Sequence, residues 1–269
     1  MEAPRTTVLV LHGYSQNAST FSKRLAALRR ECGNAVEFVF VNAPHVMRPV
    51  DLPGSTLASF GALETGNFAN ADSTFASRAW WKLDEDRTSG HELIESIVAI
   101  RDVLITRRFD VHLGVFGFSQ GAALASIISL LLERPHLCTP FLVKGQPPHP
   151  PFKFCVAVSG FRLREPFCDS LFTNQYSTPT LHVIGRNDVI VTEEKSKRLI
   201  ETSSNRRVEE HDGGHFVPSK RLWLQFLRDY MIDPSAHLPS PGIASSSVPS
   251  SGTVTPIDFH RRPIMMVRL

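Results

Sequence analysis

Short apolar runs alternate with longer amphipathic or apolar stretches along most of this chain. Runs rich in β-branched and aromatic residues predict strands at about 7–11, 36–41, 111–116, 153–159 and 180–184, and the more polar 207–211 is interpreted as the last strand. Longer stretches predict helices near 18–31, 88–108, 120–133, 193–203 and 219–231. Alternating strands and helices indicate an α/β fold, an open and mostly parallel sheet with helices on both faces. Right-handed crossovers then give the spatial strand order 2-1-3-4-5-6.

Three segments do not fit this alternation. Segment 43–87 is too long for a plain connection, and its aromatic side chains are candidates for a pocket wall or for simple packing onto the body. Segment 134–151 contains too many prolines for a helix or a central strand, so it is either a surface excursion or a flap carrying Phe141. Segment 233–269 is rich in Ser and Pro and is expected to be a disordered tail after a catalytic domain at 1–232. The aromatic residues of the first segment are Phe60, Phe68, Phe75, Trp80 and Trp81.

A G-x-S-x-G motif, Gly117-Phe118-Ser119-Gln120-Gly121, lies between a predicted strand and a predicted helix. This is the context in which the motif forms a nucleophile elbow, a tight turn that exposes a strained serine above the sheet. Gly117 and Gly121 lack a Cβ and allow the strand and the helix to approach. A structural Gly/Ser turn is the alternative. Ser119 is therefore the candidate nucleophile.

A serine hydroxyl needs an adjacent base, and the base needs an orienting acid. In α/β-hydrolases these residues follow the serine in the order acid, then histidine. Asp188 lies just past the strand at 180–184, and His215 lies past the last strand, after two glycines. Both positions belong to the sheet edge where sites form in open α/β folds. We expect Ser119, Asp188 and His215 to form a catalytic triad.

Other residues compete for these roles. Asp188 has an alternative role as a helix cap or turn residue, because Glu193 and Glu194 open a helix soon afterwards. Asp169 has no clear strand before it, and Asp212 is close to His215 along the chain. His211 is the rival base, although it is expected at the end of the last strand. These rival residues are Asp169, Asp212 and His211.

The loop after the first strand, His12-Gly13-Tyr14-Ser15-Gln16-Asn17, predicts an oxyanion hole. In this arrangement one donor is the N–H of the residue after the nucleophile, here Gln120, and a second comes from the loop after an early strand. The chain turns sharply from Gly13, so the N–H of Tyr14 is the expected second donor. His12 is interpreted as a brace for the loop rather than as a catalytic residue.

Candidate substrate-binding residues come from two parts of the chain. Trp80 and Trp81 are aromatic residues in the segment that does not fit the core. Val189 and Phe216, with Val217, flank triad residues and are candidates for contact with an acyl chain. Packing in the core is the alternative for each of them.

Four segments together resemble the FSH-type serine hydrolases, a family common in fungi that includes the ovarian-cancer-associated serine hydrolases of animals. These segments are 12–17, 117–121, 185–188 and 213–218, and Arg78-Ala79-Trp80-Trp81 resembles the family too. The likeness spans roughly residues 5–232. More distantly, the chain is similar to acyl-protein thioesterases and carboxylesterases.

The resemblance implies an α/β-hydrolase fold, no cofactor, and Ser119, Asp188 and His215 as triad. Several fungal members serve polyketide biosynthesis and are similar to the lovastatin-pathway thiohydrolase, which releases an acyl chain from a carrier protein. The resemblance therefore implies a thioesterase of secondary metabolism that acts on a carrier-bound acyl or polyketide chain. A carboxylesterase acting on small oxygen esters, and a non-catalytic binding protein with this fold, are the alternatives.

Composition narrows the class of protein. A net charge of +3 with scattered basic residues gives no support for nucleic-acid binding, and no apolar run is long enough to span a membrane. A predicted strand follows the first residues at once, so no signal peptide is expected, and the four cysteines lack C-x-x-C spacing, so we expect a cytoplasmic protein with reduced thiols. The histidines show no metal-ligand spacing, so no metal is expected. Lys195, Lys197 and Arg198 on one predicted helix form a candidate docking patch for an acidic carrier protein.

Overall fold

A six-stranded parallel sheet forms the centre of the computed structural model, which describes residues 5–47, 76–82, 89–107, 109 and 112–242. The strands of this sheet are β1 Thr6–Leu11, β2 Val36–Val41, β5 Leu113–Phe118, β6 Cys155–Val158, β7 Thr180–Gly185 and β8 Arg206–His211. Their spatial order is β2-β1-β5-β6-β7-β8, which confirms the predicted order. Two short strands, β3 His45–Val46 and β4 Arg78–Ala79, pair antiparallel beside it.

Helices cover both faces of the sheet, as the alternating pattern predicts. They are α1 Ala18–Arg24, α2 Ala26–Cys32, α3 Ser89–Arg107, α4 Gln120–Glu133, α5 Pro166–Leu171, α6 Glu193–Ile200 and α7 Arg221–Ile232. In β1, Val8 and Val10 pack with α1, α2 and α7, whereas Leu9 and Leu11 pack with α3, α4 and α6. Because both faces are covered, the central strands are apolar throughout instead of alternating.

The structure corrects several predicted boundaries. The predicted helix 18–31 is two helices, because Leu25 leaves helical geometry at φ −88° and ψ 10° while its side chain stays buried. The strand predicted at 111–116 runs at 113–118 instead, so Gly117 and Phe118 of the serine motif belong to the strand. Helix α5 was not predicted. It begins at Pro166, after Glu165 caps its N-terminus by accepting the N–H of Phe167.

The proline-rich segment 134–151 packs against the body. It forms two single-turn 3₁₀ helices, Pro135–Leu137 and Thr139–Phe141, which is as much helix as its prolines allow. Phe141 is fully buried in the core, and Arg101 of α3 donates to the carbonyl of Pro140 over 2.7 Å. Phe141 is therefore a core residue and does not form a flap over the site.

Residues 233–242 also pack on the domain, although composition assigns them to a disordered tail. Arg207 of β8 donates to the carbonyl of Leu238 over 2.7 Å, and Ser240 donates to Glu209 over 3.0 Å. These contacts lie along β8, the edge strand of the sheet, whose unpaired backbone groups would otherwise be open to other chains. The domain therefore extends at least to residue 242.

Most of segment 43–87 lies outside the described residues, including Phe60, Phe68 and Phe75. The described parts are 43–47 and 76–82, which β3 and β4 join. Within the described part of the chain, no helix combines the length and apolar character needed to cross a membrane. All four cysteines are free and buried.

Stability should fall with acid pH because of a buried histidine in β7. His182 is 3% exposed and hydrogen-bonds through Nε2 to Ser203 Oγ over 3.0 Å. Burial, with a smaller effect of the Arg206 charge, lowers the pKa of His182 from 6.5 to about 3. Below pH 6.5 the unfolded chain binds this proton and the folded chain does not. The stability is thus fully present above that pH and is lost as pH falls towards the folded pKa.

We expect His182→Gln to reduce this acid slope. The wild-type free energy of unfolding should fall by about 1.4 kcal/mol per pH unit for each buried neutral histidine. His182→Gln should reduce the slope of the free energy of unfolding against pH by the contribution of one histidine. The measurement is urea unfolding at a series of pH values below neutrality. The exposed His136, replaced in the same way, is the control. Equal slopes for wild type and His182→Gln would contradict the prediction.

Candidate active site

The turn between β5 and α4 holds Ser119 in a strained conformation. Ser119 has φ 55° and ψ −117°, in the left-handed region that non-glycine residues seldom adopt. A Cβ at Gly117 would lie 2.3 Å from the carbonyl oxygen of Gly121, so the strand and the helix approach as the motif predicts. The Ser119 N–H donates to the Val158 carbonyl over 2.9 Å and ties the turn to β6. The serine is thus presented at the carboxyl edge of the sheet.

The structure brings Ser119, His215 and Asp188 into one chain of hydrogen bonds. His215 Nε2 lies 3.0 Å from Ser119 Oγ, and His215 Nδ1 lies 2.7 Å from Asp188 Oδ2. An ionised carboxylate only accepts hydrogen bonds, so Nδ1 carries the proton and Nε2 is left to accept from the serine hydroxyl. The ring of Phe118 packs on His215 with centroids 4.9 Å apart. The arrangement can remove the proton of Ser119 when its oxygen attacks a carbonyl.

Asp188 is held by its own loop after β7. Its Oδ1 accepts the N–H groups of Ile190 over 2.9 Å and Val191 over 2.8 Å, which leaves Oδ2 for His215. Burial alone would raise the pKa of Asp188, but the hydrogen bond and charge of His215 and these two N–H groups together lower it. The carboxylate is therefore ionised at neutral pH. It is not a helix cap, because α6 begins after Thr192.

The rival acids and the rival base have other partners. Asp169 accepts from Arg162 over 2.8 Å, and Asp212 accepts from Arg186 over 3.2 Å. His211 ends β8, as predicted, and its Nδ1 accepts the N–H of Gly213 over 3.1 Å. Burial lowers the pKa of His211, which lies beside Trp223 with ring centroids 5.7 Å apart. None of these three residues takes part in the hydrogen bonds that connect Ser119, His215 and Asp188.

The loop after β1 passes beside the nucleophile. A Cβ at Gly13 would lie 2.9 Å from the ring of Phe118 and 3.4 Å from the Cβ of Ser119, so the missing side chain avoids a clash with Phe118 beside the nucleophile. The next residue, Tyr14, lines the same cavity as Ser119 and Gln120. Gln120 is the first residue of α4, where backbone N–H groups have no partner within the helix. Both expected oxyanion donors therefore belong to residues beside the serine.

His12 braces this loop. Its Nε2 accepts the N–H of Ala43 over 3.0 Å, so Nδ1 carries the proton and donates to the Gly13 carbonyl over 2.8 Å. Burial lowers the pKa of His12 from 6.5 to about 4, which keeps the ring neutral. The predicted bracing contact is present.

The side chain of Gln120 clamps segment 78–82 beneath the elbow. Its Oε1 accepts the N–H of Trp80 over 2.8 Å, and its Nε2 donates to the carbonyl of Trp81 over 2.7 Å. The indole N–H of Trp80 in turn donates to the His12 carbonyl over 2.9 Å. Segment 78–82 therefore supports both the elbow and the loop after β1.

A cavity of about 440 Å³ opens above Ser119. Its apolar walls come from two loops that follow β6 and β7, namely Phe161, Leu163, Ile190 and Val191. Sequence reasoning missed these four residues because no motif marks them. The signal that could have found them is their position just past the carboxyl ends of strands, where sites form in open α/β sheets.

The predicted substrate-binding residues lie elsewhere. Trp80 and Trp81 are fully buried in the core and do not line the cavity, although the Trp81 ring packs behind the wall residue Phe161 with centroids 6.4 Å apart. Val189 is 84% exposed and does not line the cavity, unlike its neighbours Ile190 and Val191. Phe216 packs on His211 with ring centroids 5.1 Å apart and lines a separate cavity beside β8. The described cavity above Ser119 contains none of the four.

No group of three or more His, Cys, Asp or Glu within the described residues is placed to hold a metal ion. The described site offers three side-chain groups, a hydroxyl, an imidazole and a carboxylate, together with backbone N–H groups.

Comparison with known proteins gives matches over most of the chain. A family model described as serine hydrolase (FSH1) matches residues 1–227. An esterase of Anopheles gambiae is 32% identical over 233 residues, covering 83% of this chain and 77% of that protein. The esterase OVCA2 of Danio rerio is 30% identical over 241 residues, covering 86% and 98%. A Schizosaccharomyces pombe protein named dihydrofolate reductase is 30% identical over 236 residues, 84% of this chain, but the chain spans only 46% of its length.

Among solved structures, acyl-protein thioesterase 2 of Zea mays has a TM-score of 0.55 and 20% identity, covering 84% of this chain and 94% of that one. At this identity the similarity shows a shared fold alone. It confirms the predicted α/β-hydrolase architecture.

Proposed function

We propose a reaction and its catalytic residues for this chain, which belongs to the serine hydrolase (FSH1) family. The reaction is hydrolysis of an acyl ester or thioester through an acyl-enzyme. Ser119 is the nucleophile, His215 the general base and acid, and Asp188 the residue that orients the imidazole. One observation carries the proposal: His215 bridges Ser119 over 3.0 Å and Asp188 over 2.7 Å, at a cavity with apolar walls.

In the first half-reaction, Ser119 Oγ forms a bond to the acyl carbon while its proton passes to His215 Nε2. The carbonyl oxygen becomes an oxyanion, which the N–H groups of Tyr14 and Gln120 stabilise; donors of this kind are each typically worth about 3 kcal/mol in the transition state. The bond from the acyl carbon to the leaving oxygen or sulfur then breaks. His215 returns its proton to the leaving group.

Water completes the cycle by the same route. His215 takes a proton from water as the water oxygen bonds to the acyl carbon, and the bond to Ser119 Oγ breaks as the proton returns to the serine. Asp188 stays ionised throughout, because its hydrogen bonds favour the carboxylate. The products are a carboxylic acid and an alcohol or thiol.

A finer proposal concerns the substrate. We propose a thioester whose acyl or polyketide chain is delivered on an acyl carrier domain, in secondary metabolism. The apolar walls suit an acyl chain, and basic side chains at the cavity suit an acidic partner. The residues that support this proposal are Phe161, Leu163, Ile190, Val191, Lys195 and Arg198.

The test compares matched thioesters and oxygen esters. N-acetylcysteamine thioesters and the corresponding N-acetylethanolamine esters differ only in the atom bound to the acyl carbon. We expect kcat/KM to favour the thioesters and to rise about fourfold for each methylene added, until the cavity of about 440 Å³ is full. Ser119→Ala is the blank.

Two other results would change the proposal. A preference for short oxygen esters would identify a general carboxylesterase and would contradict the proposal of a carrier-bound substrate. Absence of turnover and of labelling by a fluorophosphonate, in a protein that unfolds cooperatively, would identify a binding protein.

A further inference from the structure

The cavity above Ser119 has a strongly basic rim. Four cationic side chains line it, together with one carboxylate, that of Glu194. The cationic residues are Arg162, Arg164, Lys195 and Arg198. The entire chain has a net charge of only +3, so this concentration of positive charge at one cavity does not follow from overall composition.

Two of the four cations are neutralised by carboxylates. Arg162 pairs with Asp169 over 2.8 Å, and Arg198 pairs with Glu194 over 2.5 Å. Pairs of this kind are ordinary on a solvated surface. Lys197, on the same helix as Arg198, is likewise paired with Glu193 over 2.6 Å, and it does not line the cavity.

The other two cations have no carboxylate partner among the described residues. Lys195 Nζ donates to the carbonyl of Ile190 over 3.0 Å, a neutral acceptor. Arg164 is exposed, and the part of the chain that the structure describes offers it no hydrogen bond or ion pair. A purely apolar acyl group gains nothing from a free guanidinium, whereas a carboxylate or phosphate accepts two parallel hydrogen bonds from it.

We propose that the substrate carries an anionic group, a carboxylate or a phosphate, which binds at this basic rim with Arg164 as the main contact and Lys195 beside it. The proposal rests on the proposed function, because it describes the ester or thioester that Ser119 attacks. The apolar walls hold the acyl chain, and the rim selects for charge. Positive potential at a cleft also raises the rate of encounter with anions.

The anion can belong to either side of the scissile bond. A carboxylate would lie on the acyl chain, whereas a phosphate would lie on the leaving group. Two substrate pairs separate these sources. The acyl pair is the mono-4-nitrophenyl ester of adipic acid and 4-nitrophenyl hexanoate. The leaving-group pair is S-hexanoyl-4′-phosphopantetheine and S-hexanoyl-pantetheine.

The measured quantity is the ratio of kcat/KM for the anionic substrate to that for its neutral partner. In the wild type we expect at least one ratio of about fivefold or more, the upper range for one exposed ion pair. Arg164→Glu should lower that ratio about tenfold, because it replaces attraction by repulsion. Lys195 is a poorer test, since its bond to Ile190 supports the loop that holds Asp188.

Arg30→Glu is the matched control. Arg30 is an exposed arginine on α2, on the opposite face of the sheet from α6, so the same change of net charge occurs far from the cavity. Its ratios should equal those of the wild type. The pair whose ratio falls in Arg164→Glu alone identifies the source of the anion.

Two results would overturn the inference in different ways. The proposal of an anionic group is contradicted if neutral substrates are hydrolysed but neither pair shows a preference. It is also contradicted if Arg164→Glu and Arg30→Glu give the same ratios. In both cases the proposed function stands. If the wild type hydrolyses none of the four substrates, the proposed function fails and this inference fails with it.

Discussion

Replacing Ser119 by alanine should lower kcat on the best ester or thioester by about a million-fold, the typical cost of losing a triad serine. The reason is that the acyl-enzyme can no longer form once the oxygen that His215 holds at 3.0 Å is removed. Stability should change little. The hydroxyl of Ser119 makes no capping bond to α4, and alanine meets the same backbone strain at φ 55°.

Ser159 provides a control with a similar positive φ. It follows the neighbouring strand β6, has φ 49°, and is 1% exposed, with a hydroxyl that finds no partner among the described residues. Ser159→Ala should therefore retain turnover close to wild type. Steady-state kinetics and thermal unfolding of both variants are the measurements. A Ser119→Ala enzyme within tenfold of wild type would rule out the assigned nucleophile.

Asp188→Asn should lower kcat by about ten thousand-fold while the fold is kept. The asparagine oxygen can still accept from Ile190 and Val191, so the loop is preserved. Its NH₂ group would instead face His215 Nδ1 and donate to it. The imidazole proton would then move to Nε2. A protonated Nε2 faces the hydroxyl of Ser119 and cannot accept the proton of that hydroxyl.

Asp212→Asn is the matched control for this change. Asp212 is 80% exposed on its side chain and pairs with Arg186, so its replacement removes a surface ion pair and no part of the triad. It should keep kcat within about twofold of wild type. If the two variants lose comparable activity, Asp188 does not orient the base.

Strand order and the placement of the three triad candidates could be predicted because both depend on local patterns. Most strands are short apolar runs, and Ser119, Asp188 and His215 each follow a predicted strand, so a parallel sheet brings them to the same edge. The structure places them in contact, and their catalytic role stays a prediction. The strand before the motif continues to Phe118 rather than ending at 116, because glycine and phenylalanine fit a strand as well as a turn.

The cavity could not be predicted, for a different reason. Its walls combine Phe161 and Leu163 from one loop with Ile190 and Val191 from another, and no spacing in the sequence records that these loops meet. The sequence offers two roles for Trp80 and Trp81, substrate binding or core packing, because bulky aromatic residues suit either a pocket or a core. What decides between the two is the pair of hydrogen bonds from the Gln120 side chain, a long-range contact.

The Gln120 clamp also limits how this enzyme can be re-engineered. The residue whose backbone N–H we propose as an oxyanion donor uses its side chain to hold Trp80 and Trp81. A glutamate at this position would set a carboxylate oxygen against the Trp81 carbonyl, and a leucine would leave two buried backbone groups unsatisfied. Transplanting the serine motif into another scaffold, or recombining it between relatives, therefore requires segment 78–82 to move with it as a single module.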